Sequence, residues 1–127
     1  MFKKLQSVMV YVEDVEAAKE FWTKKFDFVV KETIELPEDF KGYDLAPNDY
    51  AETSMTLFSK DFIRKYSPEV SLETPSLMFE VENIETLYEE SKNKGVEVGE
   101  LVEIPGTKTF NFQDGQGNYF AVGEPVE

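Results

Sequence analysis

The sequence predicts an α+β protein made of two β-α-β-β-β modules, and three observations carry that reading. A segment recurs: residues 7–16 read Ser-Val-Met-Val-Tyr-Val-Glu-Asp-Val-Glu, and residues 76–85 read Ser-Leu-Met-Phe-Glu-Val-Glu-Asn-Ile-Glu. Each copy passes from an apolar alternation of period two into apolar positions at helical spacing. Each is then followed by β-branched and aromatic runs broken by Pro, Gly, Asn and Asp. The 127 residues suit one domain, and 41% hydrophobic content supplies a core that leaves the 31% charged residues as surface.

The first strand of each copy has two unlike faces. Val8, Val10 and Val12 share one side in copy one, with Ser7, Met9 and Tyr11 on the other. Leu77, Phe79 and Val81 repeat the apolar side in copy two, opposite Ser76, Met78 and Glu80. A uniformly apolar face packs beneath the following helix and leaves the mixed face turned away.

Asp14 and Asn83 stand where an N-cap is wanted, because their side-chain oxygens can accept from first-turn amides. The helical stripes are Val15, Ala18, Phe21, Trp22 and Phe26, then Ile84, Leu87, Tyr88 and Ser91. Trp22 on such a stripe is a core residue rather than a stacking platform. Gly95 suits the left-handed stop of the second helix, and Asp27 or a neighbour must stop the first. Strands follow at 28–36, 42–46 and 54–58 in the first half and at 96–104, 109–113 and 118–122 in the second. Residues 59–66 add a short helical turn. One domain therefore spans 1–127, with module 1–66, linker 67–73 and module 74–127.

The composition excludes several chemistries. Without Cys there is no disulfide, thiolate nucleophile, iron–sulfur cluster or cysteine zinc site. Without His, the commonest general base and metal ligand are missing, together with every Ser-His pair. Thirteen basic against 26 acidic residues give a charge of −13, which repels phosphate backbones and anionic bilayers, so neither nucleic acid nor membrane is expected as a partner. No apolar run is long enough to span a bilayer, and a cytoplasmic location is expected.

The segments Val-Tyr-Val-Glu-Asp-Val-Glu-Ala-Ala-Lys-Glu-Phe-Trp (10–22), Phe-Glu-Val-Glu-Asn-Ile-Glu (79–85), Lys-Gly-Val-Glu-Val (94–98) and Phe-Asn-Phe-Gln-Asp-Gly-Gln-Gly-Asn (110–118) resemble, in this order, the vicinal oxygen chelate superfamily. That is the glyoxalase and bleomycin-resistance fold, and the likeness covers nearly the whole chain. It implies curved mixed sheets around a cleft and a homodimer. The superfamily's metalloenzymes take ligands, typically His, Gln or Glu, from the first and last strands of each module. Carried over, those positions fall on Ser7, Thr56, Ser76 and Ala121, none a normal ligand for a divalent ion. No metal and no other cofactor is therefore expected.

The cleft that the resemblance implies is lined by Ser7, Met9, Tyr11, Thr56, Phe58, Ser76, Met78, Glu80, Tyr119 and Ala121. It is apolar and aromatic with a few hydroxyls, which suits a small-molecule ligand, and the negative charge favours a cationic one. The reading is a metal-independent binder similar to drug-sequestering members of the superfamily, with no catalytic residue assigned. Two alternatives stand beside it. One is an enzyme using Glu80 or Tyr11 as acid or base with Tyr119 orienting substrate; the other is a ligand-free interaction module.

Overall fold

In the computed structural model of the chain, residues 1–126 are described, and they fall into two compact units, 1–74 and 75–126. The first contains β1 (Ser7–Val12), α1 (Val15–Phe26), β2 (Val29–Glu35), β3 (Lys41–Ala46), β4 (Ser54–Ser59) and α2 (Lys60–Tyr66). Its sheet has the order β1-β4-β3-β2. β1 runs parallel to β4 and the remaining pairs are antiparallel.

The predicted division of faces holds. Val10, Val12, Leu45 and Leu57 are fully buried on the α1 side of this sheet. Asp14 caps α1, its Oδ1 accepting from the Ala17 amide at 3.0 Å. Asp27 stops the helix in the left-handed region (φ 58°), donating its amide to the Trp22 carbonyl. Glu16 in the first turn and Lys24 and Lys25 in the last complement the helix dipole. Trp22 is 1% exposed, its ring centroid 4.9 Å from that of Phe28, as expected of a core residue. The Tyr43 hydroxyl donates to the Glu16 carboxylate and so ties β3 to α1. That partner, together with burial, pushes the Tyr43 phenol up to about 12.

The second unit contains β5 (Met78–Glu80), α3 (Ile84–Asn93), β6 (Glu97–Val98), β7 (Val102–Ile104), β8 (Thr107–Gln113) and β9 (Tyr119–Pro125). The sheet order is β5-β9-β8-β6, with β7 also on β8. Phe110, Phe112, Phe120 and Val122 are buried, and the Tyr88 ring from α3 meets Phe110 edge-on at 5.0 Å. Gly95, at φ 81°, follows the end of α3 as its sequence position requires.

Three expectations need correction. The single strand expected over 96–104 is two, because Val98 pairs with Phe112 whereas Val102 pairs with Thr109. Four residues on one side therefore oppose three on the other, and the extra residue bends the chain away. The first strand of the second copy starts at Met78, which leaves Ser76 outside the sheet. Asn83 makes no capping bond through its side chain; it lies in the left-handed region at φ 55°. The carboxylate of Glu124 takes over that task, accepting from the amides of Asn83 at 2.9 Å and Ile84 at 3.0 Å.

The loop between β8 and β9 is built around Asp114, which is 2% exposed. Its Oδ1 accepts from the amides of Gln116 (2.7 Å) and Asn118 (3.1 Å), and its Oδ2 from the Asn118 side-chain amide (2.9 Å). Gly115 and Gly117 supply the positive φ values that wrap the backbone around this one carboxylate.

Candidate functional site

Side chains of residues paired across a sheet share a face, so register decides which predicted site residues lie together. In the first unit Met9 pairs with Thr56 and Tyr11 with Phe58, while Thr56 pairs with Asp44 and Asp44 with Glu32. Ser7, Met9, Tyr11, Thr56 and Phe58 are thus gathered on the sheet face away from α1, as predicted. Asp44 and Glu32 belong to the same face and were missed, because their strands read only as alternating and gave no register.

This face has a polar centre and an aromatic end. The Ser7 and Thr56 hydroxyls are hydrogen-bonded to each other, and Thr56 Oγ1 donates to Asp44 Oδ1 at 3.0 Å. Thr56 is 6% exposed, so the chain of bonds is held in a fixed place rather than in free solvent. At the aromatic end the Phe58 ring lies on Gly42, where a Cβ would come within 2.3 Å of it. Phe58 meets Phe62 of α2 edge-on at 5.7 Å, and Phe62 in turn meets Phe40 at 5.4 Å and Tyr66 at 4.9 Å.

On the second unit, Met78 pairs with Ala121, Glu80 with Gly123, and Gln113 with Tyr119, again on the face away from the helix. Met78 and Tyr119 are 60% and 63% exposed. The Met78 sulfur lies over Gly123, 3.0 Å from where a Cβ would stand. Of the predicted residues of this unit, only Ser76 is off the sheet.

The donor sets do not fit the divalent ion of the superfamily's metalloenzymes. Ser7 and Thr56 offer hydroxyls that are engaged with each other, Ala121 offers a methyl group, and Ser76 stands outside its strand. No group of three or more Asp or Glu able to hold a metal occurs among the described residues.

The first unit also has an open pocket of about 520 Å³ beside the N-terminus of α1, lined by Glu13, Asp14, Val15, Glu16, Asp39, Phe40, Lys41 and Ser59. Three of its carboxylates have structural duties. Glu13 pairs with Arg64 at 3.1 Å, Asp14 caps α1, and Glu16 holds Tyr43. The hydroxyl-and-aromatic sheet face is the stronger candidate, since it places few polar groups among apolar ones.

Two β-α-β-β-β units in one chain define a class of protein in which function varies while the fold persists. The profile of the Glyoxalase/Bleomycin resistance protein/Dioxygenase superfamily matches residues 4–122, and the chain belongs to that superfamily. It is 34% identical over 125 residues to the uncharacterized protein YetH of Bacillus subtilis (strain 168), covering 98% of this chain and 100% of YetH. Its fold is similar to that of TnmS3, an antibiotic binding protein from Streptomyces sp. CB03234, with a TM-score of 0.82, 21% identity and 98% of each chain covered. A glyoxalase family protein from Enterococcus faecalis is similar at a TM-score of 0.73 and 26% identity, over 97% of this chain and 98% of that one. Among the described residues no helix is long and apolar enough to cross a membrane.

Proposed function

We propose that the protein is a metal-independent small-molecule binder that sequesters an aromatic, cationic ligand in the cytoplasm without transforming it. The observation that carries this reading is the mutual hydrogen bond of Ser7 and Thr56, which engages the two hydroxyls standing where metalloenzyme relatives keep ligands. Around them, Met9, Tyr11 and Phe58 supply the apolar contact area that a flat molecule needs. Met78, Glu80, Tyr119 and Ala121 supply a comparable surface on the second unit. The likeness of the fold to an antibiotic binding protein supports the same reading. The net charge of −13 favours cations by raising their local concentration. The binding form is proposed to be a homodimer that shares such surfaces between copies.

Metal analysis and a thermal-shift screen of the purified protein test this together. Cationic aromatic compounds raise the melting temperature with the logarithm of ligand concentration above Kd, while chelator leaves it unchanged. Stoichiometric nickel, zinc, manganese or iron, with stability lost to chelator, would overturn the metal-independent reading. A light-scattering mass equal to one chain at micromolar concentration would overturn the dimer. Met78→Trp fills its face and abolishes binding without unfolding the protein; unfolding would mean that this face is core.

A further inference from the structure

One cross-strand row of the first unit, Met9–Thr56–Asp44–Glu32, runs from apolar to acidic across the sheet. Asp44 is half-buried, and its Oδ1 is held by the hydroxyl of Thr56, itself over nine-tenths buried and braced by Ser7. Glu32 is its direct neighbour on β2, an arrangement of like charges that destabilises a sheet unless something offsets it. Among the described residues no Lys or Arg pairs with either carboxylate. The nearby Lys31 instead donates to the Asp49 carbonyl at 3.1 Å. A fixed, half-buried carboxylate beside Met9, Tyr11 and Phe58, repelled by a second one and without a counter-cation, is a site made to be completed from outside.

We infer that Asp44 reads the positive charge of the ligand: an organic ammonium or amidinium donates to its carboxylate, and the attached flat apolar body lies along Met9, Tyr11 and Phe58. This inference rests on the small-molecule reading above and adds the recognition element to it. Thr56 is a positioning residue, since it acts through Asp44. Glu32 lies at the exposed edge, so it contributes attraction rather than a fixed contact.

The test uses two probes alike in shape and different in charge, cationic 9-aminoacridine and neutral acridone, titrated calorimetrically into the full-length protein. The wild type binds 9-aminoacridine more tightly than acridone. Asp44→Asn keeps an acceptor for Thr56 and lowers affinity for the cationic probe about 10- to 100-fold, the loss of one charge-assisted hydrogen bond, with acridone unchanged. Thr56→Val gives a smaller loss confined to the cationic probe, and it serves on its own if Asp44→Asn fails to fold. Equal binding of the two probes, or a preference that survives both substitutions, would overturn the role of Asp44 while leaving a small-molecule binder. Binding of neither probe would overturn both readings.

Discussion

Replacing Glu124 by Ala removes the two hydrogen bonds that hold the start of α3, because its carboxylate oxygens accept separately from Asn83 and Ile84. Loss of an N-cap costs about 0.5–2 kcal/mol, and loss of a negative charge at a helix N-terminus a further ~0.3–1 kcal/mol. Both contacts are partly open to solvent, which keeps the sum near the middle of that range, at about 2 kcal/mol. For a chain of this length that is a fall in Tm of roughly 6–10 °C. Glu124→Gln retains one acceptor and loses about half as much, ~1 kcal/mol. Asn83→Gly, by contrast, stays within about 0.5 kcal/mol of wild type, since Gly adopts the left-handed backbone freely and no capping bond is lost. Thermal and urea melts followed by circular dichroism measure all three. A Glu124→Ala protein as stable as wild type would refute the exchange of capping roles and return the cap to Asn83.

Asp114→Ala leaves two loop amides and the buried Asn118 side chain without their acceptor and costs about 3–4 kcal/mol in urea melts. Gly42→Ala displaces the Phe58 ring, costs about 1–3 kcal/mol and weakens ligand binding; in the Phe58→Ala background the same substitution is nearly neutral, which a double-mutant cycle measures. Tyr43 has its phenol raised from 10 to about 12, so its bond to Glu16 contributes fully below pH 10 and is lost as pH climbs through 12. Tyr43→Phe costs about 1–2 kcal/mol at pH 7, and the difference between it and wild type shrinks across that window in stability measured against pH.

What could be read from residue order was whatever depends on a local period or a local turn. Val10, Val12 and Trp22 are buried where alternation and helical spacing put them, Asp14 caps α1 through its side-chain oxygen, and Asp27 and Gly95 stop their helices in the left-handed backbone region that those residue types tolerate. The failures share one cause, which is partners distant in sequence. Asn83 looks like a cap in isolation, yet a carboxylate 41 residues away does the capping. The run 96–104 looks like one strand until its pairing with β8 demands an extra residue.

The same distinction explains why Asp44 and Glu32 of the candidate face could not be read from the sequence. Ser7, Met9 and Tyr11 are consecutive alternate residues, so their common face follows from a period of two. Asp44 joins them only through the pairing of β1 with β4 and of β4 with β3, two registers that no single strand encodes. Its carboxylate then acquires meaning from a Thr56 hydroxyl and a Glu32 neighbour that lie twelve residues away on either side. A charge of −13 spread over a surface draws cations near without fixing where they sit, and salt screens it. One carboxylate fixed in direction by a buried hydroxyl loses far less to that screening. Of the 26 acidic residues, Asp44 is one whose direction the assembled sheet fixes, and that is why the proposed recognition of a cation is placed on it.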